Sequence, residues 1–380
     1  MKKIFLTVCV ITLAAGSAFA DEDADDSVQM NFSGEVKTGV FWLMVEEPGV
    51  ETTNRARLGN NDDAGTIDKT GFPGPGRIRL DGELIKNNVG FKMRWETTNY
   101  INAISPGWVY AYAYGDFINE QLRLSGGRLG QSPWSSGGPE IWDELDNRAG
   151  LRVEIKPNFL PGLNVGFVLN QHNTNTTNTE ETLLGMLEET IVGAAYTHEY
   201  FMIRAAYRLD SDEDSHLDNM GLSEGHDMIY RVEERALRKV VDGLSIFANG
   251  RLIGIGAKNT SIINFVNWLY IQYNPGALDM QLRTGIDAGD EKWYFKLKPV
   301  ISYGITDFLR LGFTFYWYKD FGEAAPAKDA PYKLLAFEPL VRVTFNNMYV
   351  DLAYQFGREY VAADRIKQTN WVNLRFVYTF

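Results

Sequence analysis

The chain has 380 residues, with 49 acidic against 37 basic side chains and a formal net charge of −12. A surface this acidic is a poor partner for nucleic acid. The single cysteine, Cys9, lies near the start of the chain, so disulfides and cysteine-ligated zinc are excluded from everything after it.

In chain order, residues 1–20 read as a secretory signal peptide. Lys2 and Lys3 supply the charge, Ile4 to Ala15 the apolar stretch, and Ala18-Phe19-Ala20 a small-x-small cleavage site. From about residue 28 onward the texture is uniform, without a Pro/Ser-rich hinge, a low-complexity tract or a clear repeat. The prediction is a single domain over residues 21–380. No run of about 18 uncharged apolar residues follows the leader, so no membrane-spanning helix is expected. Helical spacing is confined to two short stretches, residues 180–189 and 231–241.

Alternation with period two dominates instead. Ile78, Leu80, Gly82 and Leu84 alternate with Arg77, Arg79, Asp81 and Glu83. Val89, Phe91, Met93 and Trp95 alternate with Gly90, Lys92, Arg94 and Glu96. The pattern recurs from Leu309 to Tyr318, from Met348 to Phe356, and from Asn373 to Phe380. Such segments of about 8–12 residues occur roughly 18 times, which fits the roughly 9–11 residues a tilted strand needs to cross a hydrocarbon layer. Those at 228–235 and 262–273 are the weakest.

Connections alternate between short and long. Residues 87–88, 157–162, 274–277, 304–307 and 345–347 are short; 43–75, 131–148, 171–189, 210–225, 319–331 and 358–368 are long. Short turns at one end and long loops at the other predict an all-β fold: a transmembrane antiparallel barrel of about 18 strands, with 16 as the alternative. Only a closed barrel pairs every backbone N–H and C=O without water. A soluble two-sheet sandwich would alternate too, but has no need of a leader, this loop asymmetry and an aromatic last strand together.

Three stretches carry a resemblance. FSGEVKTGVFW resembles the opening strand of the general porins of bacterial outer membranes. LRLSGGRLGQSPWSSGGPEIWDELDNRAGLRVE resembles their fifth strand, inward-folding third loop and sixth strand. The terminal YTF stretch, with Phe376, Tyr378 and Phe380, resembles the signal read by the outer-membrane assembly machinery. The resemblance implies a homotrimer in outer-membrane lipid, with residues 131–148 folded into the pore. Glu140, Asp143, Glu144 and Asp146 would then constrict it, facing a basic wall of Arg77, Arg79, Lys92, Arg94, Arg123 and Arg152. The same arginines and lysine read equally well as residues that solvate the wall. Strand parity from Leu122 sends Arg128 toward lipid, so a phase shift at Gly126-Gly127 is expected.

Tyr110, Tyr112 and Tyr114 share one face, opposite Ala111 and Ala113. If that face is luminal it offers stacked rings on which sugars slide; if external, the three contact lipid. Small alanines on the outside fit a subunit contact. Trp42, Trp95, Trp317 and Tyr378 near strand ends read as interfacial anchors.

Other chemistry is sparse. Asp210, Asp212, Asp214 and Asp218 begin like a calcium loop, but Ser215 stands where a turn glycine is needed. His172, His198, His216 and His226 form no metal-binding pair, and Ser215-His216 carries no hydrolase motif. No metal, no cofactor and no catalytic residue is expected. The function read from the sequence is passive diffusion of small hydrophilic solutes and ions. A sugar- or anion-specific channel and a surface-interaction barrel are the alternatives.

Overall fold

The computed structural model describes residues 28–50, 52–58, 77–98, 105–135, 149–170, 190–208, 226–255, 264–289, 293–322, 329–362 and 365–380. Among these lie nineteen strands of one sheet. The first seven are β1 (Gln29–Glu46), β2 (Thr53–Leu58), β3 (Arg77–Lys86), β4 (Val89–Thr98), β5 (Ser105–Phe117), β6 (Leu122–Arg128) and β7 (Ala149–Ile155). Next come β8 (Leu163–Asn170), β9 (Ile191–Thr197), β10 (Phe201–Arg208), β11 (His226–Glu234), β12 (Leu244–Ile255) and β13 (Asn264–Tyr273). The last six are β14 (Leu278–Ala288), β15 (Trp293–Gly304), β16 (Leu309–Asp320), β17 (Leu334–Phe345), β18 (Met348–Ala362) and β19 (Arg365–Thr379).

The sheet closes where β1 meets β19, antiparallel, from Glu35↔Thr379 to Glu46↔Gln368. On its other edge β1 holds two strands end to end: β2 beside Val40 to Val45, and β3 beside Gln29 to Lys37. The pair fills one place in the wall, so the nineteen strands occupy eighteen positions, an even number that lets an antiparallel barrel close.

This arrangement corrects the expected loop at 43–75. β1 runs to Glu46, the chain returns as β2 after a short connection, and β3 takes up the same edge of β1 further along. The sequence TNRARL lacks an apolar stripe, which hid the strand. The expected long loop at 358–368 is corrected as well. β18 and β19 continue pairing through Arg358↔Gln368, Glu359↔Lys367 and Tyr360↔Ile366. Arg358 and Gln368 stand at one parity and Glu359 and Lys367 at the other, so apolar–polar alternation ends before pairing does. The weak segments at 228–235 and 262–273 fall in β11 and β13. Helical spacing at 231–241 resolves into the end of β11 and one 3-10 turn, Leu237–Lys239. The stretch at 180–189 lies outside the described residues.

Turns at one end are short. Asn87 and Asn346 adopt positive φ (51° and 47°) in the two-residue links β3–β4 and β17–β18, a conformation that asparagine tolerates well. Outward positions are apolar and exposed: Leu80, Leu151, Ile203, Leu311, Leu352 and Phe376 are examples. A soluble monomer rarely shows such a continuous apolar band, and a lipid layer is what covers it. Inward positions hold the charges. Asp227, Asp351, Arg152 and Lys298 are all buried, each on the face opposite the apolar band.

Candidate functional site on the luminal wall

Five of the six predicted basic wall residues, and all three tyrosines, come together on the inner face of β3–β7. Register places them there: Asp81↔Arg94, Glu83↔Lys92, Asp116↔Arg123 and Arg123↔Glu154 are direct cross-strand pairs. Arg79 Nε donates to Glu96 at 2.8 Å, and Arg94 Nε to Asp81 at 2.5 Å. Lys92 lies 2.9 Å from Glu83. Arg123 grips Asp116 with two hydrogen bonds, 2.7 and 2.6 Å. Arg152 lies 2.9 Å from Glu154. Arg77 heads β3 opposite Lys37.

The tyrosine rings form the middle of this lattice. Tyr110 and Tyr112 have centroids 6.0 Å apart, and Tyr112 and Tyr114 6.5 Å. Arg94 sits over Tyr110 at 5.2 Å, Arg152 over Tyr112 at 5.5 Å, and Arg123 over Tyr114 at 4.6 Å. The Tyr110 hydroxyl donates to Asp81 (3.3 Å) and that of Tyr114 to Glu83 (3.1 Å). The tyrosine face is therefore luminal, and Ala111 and Ala113 point outward. Planar guanidinium on a π-face and charge-assisted hydrogen bonds hold these side chains upright from the wall.

The segment leaving β6 enters the barrel. Leu129 and Trp134 are buried, at 1% and 0% exposure, in a cluster with Tyr112, Val168, Ile191 and Ala206. Trp134 donates its indole N–H to the Asn164 carbonyl at 3.2 Å. Two glycines make its socket: a Cβ on Gly166 would come within 2.9 Å of the indole, and one on Gly193 would overlap it. Arg152 holds the same segment, donating to the carbonyls of Gly130 (3.3 Å) and Gln131 (3.2 Å). Glu140, Asp143, Glu144 and Asp146 lie outside the described residues. The Trp134 socket was missed from sequence. Its signal was there, two glycines at inward parity on adjacent strands.

Arg128 corrects the expected phase shift. Pairing runs unbroken from Phe117↔Leu122 to Ala111↔Arg128, so Arg128 shares the outward face of Ala111. It is exposed at the end of β6, and its Nε donates to the Val109 carbonyl at 3.1 Å. A rim position lets the guanidinium reach water, which removes the reason for a shift.

The far wall, β10–β19, carries charges that the sequence did not single out. Asp227 accepts from Arg208 (3.1 Å) and Arg251 (2.8 Å). Asp351 accepts from Arg342 at 2.6 and 3.0 Å and also from Arg375. Glu338 accepts from Gln355 (2.7 Å) and Tyr316 (3.2 Å), and Gln355 in turn accepts from Trp371 (2.7 Å). Asp351 is satisfied on both oxygens, whereas both donors to Asp227 converge on Oδ2 and leave its buried Oδ1 without a hydrogen bond. This wall also opposes like charges directly, at Arg204↔Arg231, Arg283↔Lys298 and Arg310↔Arg342.

Of the outward aromatics, Trp42 donates its indole N–H to Asn54 at 2.6 Å, and Tyr378 stacks with Phe380 at 5.9 Å. The Phe380 ring covers Gly34 of β1, whose N–H donates to the Phe380 carbonyl at 2.8 Å. His198 stands in the β9–β10 turn beside Tyr196 and Tyr200. His172, His216, Ser215 and Asp210, Asp212, Asp214 and Asp218 lie outside the described residues. Among the described residues, no three His, Cys, Asp or Glu side chains converge as a metal site.

A closed barrel, apolar outside and charged within, defines a transmembrane β-barrel. No protein-family model matches the sequence, and no curated protein matches it. In structure the chain is similar to a variant of the porin of Rhodopseudomonas blastica, at 12% identity and a TM-score of 0.45, over 93% of this chain and 100% of that one. It is also similar to an anion-selective porin from Comamonas acidovorans, at 13% identity and a TM-score of 0.45, with the same coverage.

Proposed function

We propose that the protein is an outer-membrane channel of the porin type, passing small hydrophilic solutes and ions by passive diffusion. The observation that carries this reading is the charged, hydrogen-bonded inner wall of a barrel whose outer face is apolar. Water is the medium such a wall requires, and a water-filled lumen in a lipid-covered barrel is a pore. The segment bearing Leu129 and Trp134 turns inward, which supports residues 131–148 as the constricting loop. Glu140, Asp143, Glu144 and Asp146 are then the acids that face the basic wall. In this reading the chain passes the inner membrane by a signal peptide at 1–20. Phe376, Tyr378 and Phe380 serve the assembly machinery, and the small outward face of Ala111 and Ala113 is a homotrimer contact.

A second reading, a sugar-specific channel, is favoured by the luminal position of Tyr110, Tyr112 and Tyr114. Conductance of the refolded barrel in a planar lipid bilayer tests both. Stable steps grouped in threes are expected from a trimeric pore. Saturable block by a sugar favours the specific channel, and a folded barrel that gives no steps overturns the pore reading.

A further inference from the structure

We propose that the lumen holds a binding site for a small oxyanion, a carboxylate or phosphate group, between Arg204 and Arg231. The proposal rests on the reading of the lumen as water-filled. It needs nothing of conduction.

Charge balance sets this place apart. On the inner face of β3–β7, Arg79, Lys92, Arg94, Arg123 and Arg152 each have a nearby carboxylate, and Asp227 and Asp351 each serve two guanidiniums. At the short-turn end of β10–β11, four guanidiniums gather around one carboxylate. Glu233 takes Arg231 (3.2 Å), Arg235 (3.2 Å) and Arg238 (3.3 Å). Arg204 is not among its donors. Its hydrogen bond goes from Nε to the thioether of Met202, at 3.2 Å, and Arg235 gives Nη2 to the same sulfur at 3.3 Å. Thioether sulfur is a weak acceptor, and a guanidinium has five N–H donors in a fixed fork.

Arg204 also stands directly opposite Arg231 across the β10–β11 ladder. Like charges so placed destabilise a sheet. Arg231 is held flat by the Phe247 ring, 4.0 Å from its guanidinium carbon, and cannot swing away without losing that contact. Two forks are therefore fixed side by side on an inner face that water reaches. An oxyanion bridging them gives Arg204 a planar acceptor in place of the thioether, adds a second acceptor to Arg231 beside Glu233, and offsets the repulsion between the two guanidiniums.

The test is a titration of the refolded full-length barrel in detergent, without its leader, at constant ionic strength. Inorganic phosphate replaces chloride, and the thermal unfolding midpoint is read by tryptophan fluorescence. The parent protein is expected to gain stability with phosphate. Arg204→Gln is expected to need roughly tenfold more phosphate for the same gain, from loss of a charged hydrogen-bonding partner. Without phosphate that variant unfolds no lower than the parent, because the like-charge pair is gone. Arg79→Gln is expected to keep the parent's phosphate response. Equal responses from the parent and Arg204→Gln, or chloride as effective as phosphate, overturn the site. If Arg204→Gln does not fold, ³¹P line-broadening of phosphate by the parent decides. Broadening competed by acetate but not by chloride supports the site, and its absence overturns it. A barrel that binds phosphate yet gives no conductance steps would sink the pore reading and leave this site standing.

Discussion

The indole of Trp134 lies flat against Gly193, filling the space where any other residue would place a Cβ. The contact joins a segment between β6 and β7 to a strand two positions along the wall. It is buried, and the indole N–H is satisfied by the Asn164 carbonyl. Replacing a buried tryptophan by alanine forfeits about 3–5 kcal/mol in a packed core. Here the loss falls on the docking of one segment rather than on the barrel ladder. Trp134→Ala and Gly193→Val are therefore expected to leave a heat-modifiable, folded barrel whose 129–148 region is cut by protease many-fold faster. They are also expected to give noisier single channels. Unchanged cleavage in both variants would show that the socket does not hold the segment.

The β3–β7 lattice predicts how selectivity responds to single and double changes. Asp81 and Arg94 are a part-buried pair at 2.5 Å, with the Tyr110 hydroxyl also on Asp81. Arg94→Gln removes a positive charge from the inner face and is expected to move the reversal potential toward cations. Asp81→Asn is expected to move it toward anions. The double variant should return close to the parent, with a coupling of about 1 kcal/mol in stability for a pair that water still reaches. Reversal potentials in a salt gradient, with urea unfolding of the four proteins, complete the cycle. Two single variants with unshifted potentials would mean that these charges only solvate the wall.

Much of the barrel is legible in the sequence because lipid on one side and water on the other impose a period of two. Leu309 to Tyr318 and Met348 to Phe356 keep that period, and both fall in strands. The rule fails where its cause fails. Where Arg358 pairs with Gln368 and Glu359 with Lys367, polar residues stand at both parities, so the strands go on without their pattern. β2 is short and lacks an apolar stripe, so its sequence reads as loop. Side-chain partners are less legible still. The tyrosine parity was visible, but which face was luminal depended on register. That Arg204 opposes Arg231, while Arg94 opposes Tyr110 and neighbours Asp81, is fixed by cross-strand pairing and leaves no mark along the chain.

Asp351 ties three strands together. It is fully buried at 0% exposure and accepts from Arg342 on β17 and Arg375 on β19. Removing one partner of a buried charge network costs about 3–5 kcal/mol. Arg342 keeps about a third of its side chain in solvent, so the lower end applies. Asp351→Asn is expected to lower stability by about 3 kcal/mol in urea unfolding of the folded barrel. Asp307→Asn, in the exposed β15–β16 turn, should change it by less than about 0.5 kcal/mol. Equal losses would remove Asp351 from its place as a clamp.

At the short-turn end, Glu199 meets Lys239 at 3.1 Å. Hydrogen bonds from Lys239 and Tyr200 hold the Glu199 carboxyl below its ordinary value. A depressed folded value means that the contact is present above the unfolded glutamate range and is lost as pH falls through the folded value. NMR titration should place the Glu199 midpoint below that of a free glutamate. In Lys239→Met the midpoint should rise. A midpoint that ignores the substitution would mean that Lys239 is not the cause.

The closing seam between β1 and β19 ends at Gly34 and Phe380. The Phe380 ring covers Gly34, and the two residues exchange backbone hydrogen bonds of 2.8 and 3.1 Å. Gly34 has no room for a side chain, since a Cβ would overlap the ring. Gly34→Val must therefore expel Phe380 from the first strand, and both ladder bonds are strained with it. The expected outcome is a refolding yield several-fold lower, read as the heat-modifiable band in electrophoresis. Phe380→Ala removes the ring but leaves the Arg79 carbonyl 2.9 Å from the Cβ position, so it should rescue Gly34→Val in part when the two are combined. The rescue separates this seam contact from the proposed reading of Phe376, Tyr378 and Phe380 by the assembly machinery. Refolding into detergent uses no such machinery, so a defect seen there belongs to closure. A variant that refolds like the parent and fails only in cells would assign Phe380 to recognition instead.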